Sequence, residues 1–201
     1  MPAKTREALL IALPADEAEL ALDDVLAERG FERVRRPPPR PTASIARSET
    51  RFFDVDLLEP TLSIVREWNN YRDATSWGAA LGLSEGLPPA ARMEMALPPA
   101  LSVLARALSR RAQVLGFSAR EDPWHFVGVA FRDGRAFDVI TAVKDRVMLG
   151  PHAQPRASTP QQARTHLDRW LTPYHVTPAA IEIVFGNHDL PSSWRLAYVH
   201  E

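Results

Sequence analysis

The chain has 201 residues, no cysteine and a formal net charge of −1, with 24 Lys and Arg against 25 Asp and Glu. The lack of cysteine excludes disulfides, thiolate catalysis and Cys-ligated metal sites, and the balanced charge gives no basic footprint for nucleic acid. No apolar stretch approaches the roughly 18 residues of a transmembrane helix, and the N-terminus lacks the apolar run of a signal peptide. We therefore expect a cytoplasmic protein that binds neither nucleic acid nor membrane.

The first half of the chain predicts a βαβββ module. A short apolar run predicts a strand at 8–13, and apolar residues at helical spacing predict a helix at 15–29. Prolines, which cannot donate backbone hydrogen bonds, make residues 35–41 an extended connector. The remaining strands of the module are predicted at 31–35, 42–47 and 51–57.

The second half repeats this order of elements. Its central feature is Asp133-Gly134, a dipeptide typical of the type I′ turn of a two-residue hairpin. The turn joins predicted strands at 124–131 and 135–143. The preceding elements are a strand, a helix and a strand, predicted at 92–97, 98–111 and 114–118.

Each module continues into a further helix. Glu59-Pro60 predicts the start of a helix that runs to about residue 70, and Thr159-Pro160-Gln161-Gln162 predicts another, with Thr159 as its N-cap. A last strand is predicted at 194–200, paired with 181–185. Residues 144–158 would be an insertion in the second module.

The two modules are related by sequence. With an offset of 84, residues 8–58 and 92–142 share twelve identities without a gap, including Phe53-Asp54-Val55 against Phe137-Asp138-Val139. Self-similarity at a fixed period indicates repeated structural units. We therefore predict an α+β fold of two pseudo-symmetric βαβββ repeats, at 1–90 and 91–201, with mainly antiparallel sheets, packed as one compact unit.

Paired βαβββ modules resemble the vicinal-oxygen-chelate superfamily of glyoxalases, extradiol dioxygenases and bleomycin-resistance proteins. The segment 26–32 resembles the helix-to-strand step of that family, and 134–140 resembles its last strand. In metal-binding members an acidic residue of this last strand is a ligand. The resemblance assigns that position to Asp138 and, through the repeat, to Asp54.

The chain departs from this family at its first strands. Metal-binding members place a histidine or a similar ligand there, whereas the matching residues are the apolar Leu9 and Met93. Two carboxylates do not make the three-ligand site of a metal enzyme. The resemblance therefore implies a metal-free binding protein without a cofactor, and a divergent lyase, isomerase or dioxygenase of this family is the alternative.

Asp54 and Asp138 are the candidate cleft residues. Counting from the Asp133-Gly134 turn pairs Asp138 with Val129 and places it on a face with Phe131 and Ile140. A carboxylate on an apolar face must be hydrogen-bonded, paired or neutralised, as it would be in a cavity. We favour the simpler interpretation that this face is solvated and that Phe137 and its neighbours pack inward, with the cavity as the alternative.

Two further patterns have structural explanations. Gly186-Asn187-His188-Asp189 copies a metallophosphoesterase signature, but its companion motifs are missing, so we interpret it as a hairpin loop. Arg106, Arg110 and Arg111 line one side of a helix and predict a solvated face. We expect a monomeric or homodimeric, non-enzymatic binding protein for a small molecule between the repeats or for a protein partner, as in immunity or antitoxin proteins.

Overall fold

A computed structural model of the protein describes residues 5–35, 50–67, 97–120, 125–143, 145–150, 154–177, 180 and 196–200. These residues form three α-helices, namely α1 (Ala15–Ala27), α2 (Pro99–Leu108) and α3 (Pro160–Leu171). They also form the strands β1 (Thr5–Ile11), β2 (Phe31–Arg33), β3 (Thr50–Glu59), β4 (Leu62–Glu67), β5 (Val114–Arg120), β6 (His125–Arg132), β7 (Arg135–Val143), β8 (Arg146–Leu149), β9 (Arg156–Ala157) and β10 (Leu196–His200).

The strands form one ten-stranded sheet with the order β2-β10-β3-β4-β1-β5-β6-β7-β8-β9. Every described pair is antiparallel. At its centre β1 and β5 join the two halves of the chain through a ladder from Thr5↔Arg120 to Ile11↔Val114. The predicted α+β class is therefore confirmed, with the strands of both halves in one sheet.

Helices cover both faces of this sheet. On the helix-pair face, α1 and α2 bury side chains that include Leu9, Val55 and Val129. On the α3 face, α3 buries side chains that include Leu10, Ile64 and Phe117. Because strand side chains alternate between faces, neighbouring residues such as Leu9 and Leu10 enter different cores. None of the described helices is long and apolar enough to cross a membrane.

Three of the four predicted helices are confirmed. The predictions at 15–29 and 98–111 correspond to α1 and α2, each ending a few residues earlier than expected. Thr159 caps α3 as predicted: its hydroxyl accepts a hydrogen bond from the Gln162 backbone, and the Gln162 side chain accepts one from the Thr159 backbone. This reciprocal capping box satisfies two donors at the start of the helix.

The helix predicted from Glu59 to about residue 70 is wrong. Residues Leu62–Glu67 form β4, which pairs with β3 around the two-residue turn Pro60-Thr61. Proline is favoured at the first position of a helix and also in turns. Ile64 and Val65 are β-branched, which favours a strand, and they are buried on opposite faces of the sheet.

The predicted register of Asp138 is also wrong. The Asp133-Gly134 turn forms as expected, with φ of 51° and 75°. A bulge between Ala130 and Phe131 then shifts the ladder, so that Asp138 pairs with Ala130 instead of Val129. An extra residue in one strand reverses the parity of everything beyond it. Asp138 thus lies on the α3 face. The favoured interpretation, in which its face is solvated, is therefore wrong, because Ile140 and Ala142 on the same face are buried under α3.

Several predictions fall outside the described residues. These are the connector beyond Arg35, the strand at 42–47, residues 92–96 of the predicted strand 92–97, the strand at 181–185 and the loop that contains His188. Residues 144–158, predicted as an insertion, include the short strands β8 and β9.

Candidate functional site

The two predicted site residues lie on the same face of the sheet but far apart. Asp54 on β3 and Asp138 on β7 both face the α3 side, and five strand spacings separate their strands. At about 4.8 Å per spacing this amounts to roughly 24 Å along the sheet. The structure therefore does not bring the two carboxylates together in one site.

Asp54 belongs to a buried charge cluster. Its carboxylate is 1% exposed, and Oδ2 accepts a hydrogen bond from Arg66 Nη2 at 2.8 Å. The same Arg66 nitrogen also binds the partly exposed Asp56. Burial raises the pKa of Asp54, the neighbouring Asp56 raises it further, and Arg66 acts in the opposite direction. One guanidinium thus holds two carboxylates at the α3 face.

Asp138 connects β7 to the segment that follows α3. Its Oδ2 accepts a hydrogen bond from the Tyr174 hydroxyl at 2.7 Å, and its Oδ1 accepts one from the Val139 backbone at 2.8 Å. The Tyr174 ring lies 5.0 Å from Trp170 and 6.2 Å from Phe137, centroid to centroid. Asp138 therefore orients an aromatic cluster on the α3 face.

This contact predicts a specific loss in Tyr174→Phe. The variant leaves Asp138 Oδ2 without its hydroxyl donor, so we expect the free energy of unfolding to fall by about 1–2 kcal/mol at neutral pH. Burial and the Asp138 carboxylate raise the pKa of Tyr174. Above about pH 10 the unfolded chain loses the phenolic proton and the native state keeps it, so stability should fall with rising pH.

Urea unfolding between neutral and alkaline pH measures both effects. The alkaline fall in stability should be smaller in Tyr174→Phe than in the native protein. Equal slopes in the two proteins would show that the hydroxyl is not held by Asp138.

Leu9 and Met93 occupy the first-strand positions that carry metal ligands in the vicinal-oxygen-chelate superfamily. Leu9 lies on β1 and is fully buried against the helix pair, whereas Met93 lies outside the described residues. Within the described part of the chain, no group of three or more His, Cys, Asp or Glu is arranged to hold a metal ion.

The tip of the β6–β7 hairpin forms a site that the sequence did not predict. We define the arginine hairpin as Arg132, Asp133, Gly134, Arg135 and Phe137. Arg132 and Arg135 stand directly opposite each other in the ladder, and both are exposed. Phe137 is 40% exposed, and the Arg132 guanidinium lies over its ring at 4.9 Å. These side chains and Asp133 line an open depression of about 520 Å³.

Helix α2 holds this hairpin in place. The Ser109 carbonyl accepts a hydrogen bond from the Asp133 backbone at 2.9 Å, and the Ser109 hydroxyl accepts one from Gly134 at 3.0 Å. The Arg110 side chain lies beside Gly134, so that a methyl group there would approach it to 3.2 Å. The row of arginines predicted as a solvated helix face therefore continues onto the hairpin.

The sequence signal for this site is the Arg-Asp-Gly-Arg order at 132–135, which by itself predicts only a turn. Local spacing puts the two arginines opposite each other. It does not show that α2 adds Arg110 beside them, because that contact depends on the packing of distant elements. The exposure of Phe137 follows from the bulge, which sequence parity does not reveal.

Comparisons of the chain with protein families, with curated proteins and with solved structures find no match.

Proposed function

We propose that the protein is a non-enzymatic binding protein, and that the arginine hairpin contacts an acidic surface of a protein partner. The observation that carries this proposal is the pair Arg132 and Arg135, directly opposed on neighbouring strands. Like charges in that position destabilise an antiparallel pair. A partner carboxylate between them would convert this repulsion into charge-assisted hydrogen bonds.

The surroundings of the pair support a protein partner. Exposed aromatic residues and arginines are enriched among the residues that dominate protein interfaces, and Phe137 and Arg132 stack on each other at the rim of the depression. Arg135 has no ion-pair partner among the described residues.

A synthetic peptide in which aspartates and glutamates flank one tyrosine is a suitable probe. We expect it to shift the backbone amide signals of residues 132–137 in NMR titrations, with an affinity that falls as salt rises, because the arginines are exposed. The double variant Arg132→Ser/Arg135→Ser should bind the peptide at least about tenfold more weakly.

Arg146→Ser provides the matched control. Arg146 is also exposed, but it pairs with Val143 at the opposite end of β7, so its replacement should leave peptide binding unchanged. A peptide with Asn and Gln in place of the acids should not bind. Equal binding by all variants, or tighter binding of a single-stranded oligonucleotide than of the acidic peptide, would contradict an acidic protein partner.

The two-repeat architecture and the cytoplasmic location are part of the same proposal. With the offset of 84, β3 and β4 correspond to β7 and β8, and Asp54 and Asp138 lie on the same face. The neighbours differ on one side, since β10 stands beside β3 where β6 stands beside β7. A crystal structure should superpose β2, β3 and β4 on β5, β7 and β8, with Asp54 on Asp138.

A further inference from the structure

The open depression of the arginine hairpin is lined by a carboxylate as well as by cations. Asp133 lines it together with Arg132, Arg135 and Phe137, and all four residues are exposed. Within the part of the chain that the structure describes, the Asp133 carboxylate forms no ion pair with either neighbouring arginine. A partner segment that enters the depression therefore meets uncompensated charges of both signs.

The fold fixes the position of Asp133 but does not require its charge. Asp133 has a φ of 51°, its backbone N–H donates to the Ser109 carbonyl at 2.9 Å, and the Gly134 N–H donates to the Ser109 hydroxyl at 3.0 Å. Asparagine, aspartate and glycine all suit a type I′ turn, because they tolerate a positive φ. The turn thus explains a short residue at position 133, whereas the negative charge is a separate property of the depression.

The charges of the depression distinguish between two kinds of acidic segment. A segment that carries only carboxylates would pair with Arg132 and Arg135 but would bring like charge toward Asp133. A segment that also carries one cation would pair with all three groups, and such a mismatch penalty is a common source of specificity. Phe137 is 40% exposed and offers an apolar surface on which the aliphatic part of a lysine side chain can lie.

We infer that the partner segment presents a lysine or arginine beside its carboxylates, and that Asp133 selects for this cation. The inference rests on the proposed function, in which the arginine hairpin contacts an acidic surface of a protein partner. It adds Asp133 as a specificity-determining residue. The carboxylates of the segment face Arg132 and Arg135, and its cation faces Asp133.

The experiment uses a series of synthetic peptides in which two acidic residues stand on each side of one tyrosine, with both ends blocked. Each acidic position in turn is replaced by lysine in one set and by glutamine in a matched set. Binding to the full chain is measured by calorimetric titration. At one position at least, the lysine peptide should bind about threefold more tightly than its glutamine counterpart, which is the ordinary effect of an exposed ion pair.

Asp133→Asn removes the charge and keeps a residue that suits the turn. In this variant the advantage of lysine over glutamine should disappear. The peptide that carries only acids should bind the variant about twofold more tightly than the native chain, because the repulsion by Asp133 is gone. Asp133→Gly, also compatible with the turn, should behave in the same way. Asp145→Asn is the matched control, since Asp145 is exposed beside β8 at the opposite end of β7, and it should leave the lysine preference unchanged.

The outcomes separate this inference from the proposed function. Lack of a lysine advantage at every position would overturn the inference, while binding that depends on Arg132 and Arg135 would still support the proposed function. A lysine advantage that persists in both Asp133 variants would also overturn the inference, because the cation would then contact another group. Binding that does not depend on the two arginines would overturn the proposed function and this inference together.

Discussion

Replacing Arg66 by methionine should lower the free energy of unfolding by about 3–5 kcal/mol near pH 7. Arg66 is the cation that binds the fully buried Asp54, and removing one partner of a buried ion pair leaves an uncompensated charge in the protein. Methionine keeps most of the side-chain volume, so the loss reports charge and hydrogen bonding more than packing.

The loss should depend on pH with a defined sign. Burial and Asp56 raise the pKa of Asp54 above its ordinary value near 4. The native state therefore binds the Asp54 proton at higher pH than the unfolded chain, and stability falls as pH rises from the ordinary value through the raised one. Without Arg66 the pKa rises further, so Arg66→Met should lose more stability near pH 8 than near pH 5.

A double-mutant cycle isolates the ion pair. Asp54→Asn in the Arg66→Met background removes the stranded carboxylate and should recover at least half of the loss, together with the pH dependence. Arg164→Met is the control, because Arg164 pairs with Asp168 on the surface of α3 and such pairs contribute about 0.5 kcal/mol or less. A loss no larger than that of the control, or one independent of pH, would contradict a buried pair.

The contrast between Arg66 and Thr159 shows which parts of this protein can be predicted from its sequence. The start of α3 depends on residues within one helical turn, so Thr159 and Gln162 predicted it correctly. The pairing of Arg66 with Asp54 requires β4 to be a strand, whereas Glu59-Pro60 predicts a helix there. Even with the two-residue turn at Pro60-Thr61 recognised, regular counting pairs Asp54 with Glu67. The register shift between Leu57 and Glu59 aligns Asp54 with Arg66, and the sequence does not reveal this shift.

Other features depend on contacts between distant parts of the chain. Tyr174 bonds to Asp138 across 36 residues, and that contact exists only because α3 docks on the sheet. The bulge beside Phe131 exposes Phe137 and turns Asp138 toward α3. No local pattern distinguishes a bulged ladder from a regular one, so the hairpin was predicted correctly while the face of each side chain was not.

Replacing Gly128 by valine should cost about 3 kcal/mol or more, because α3 packs directly on this residue. A Cβ atom at Gly128 would lie 2.9 Å from Phe117, 3.0 Å from Ile140 and 3.1 Å from Trp170. Because three side chains surround this position, all three would have to shift to make room for the added atoms. Overpacking of this kind strains the core. Trp170 would have to move, and with it Tyr174, whose hydroxyl binds Asp138 beside the exposed Phe137.

Gly128→Ala provides a smaller version of the same change, with an expected loss of about 2 kcal/mol. Trp170→Phe removes the ring atom nearest Gly128, so the double variant Gly128→Ala/Trp170→Phe should lose less stability than the sum of the two single variants. Gly150→Ala is the control: its φ of 83° strains an alanine by about 1 kcal/mol, with no neighbour within 4 Å.

Additive losses in urea unfolding would show that Gly128 does not determine how α3 docks. Non-additive losses, accompanied by weaker binding of the acidic peptide in Gly128→Ala, would link the packing of α3 to the arginine hairpin.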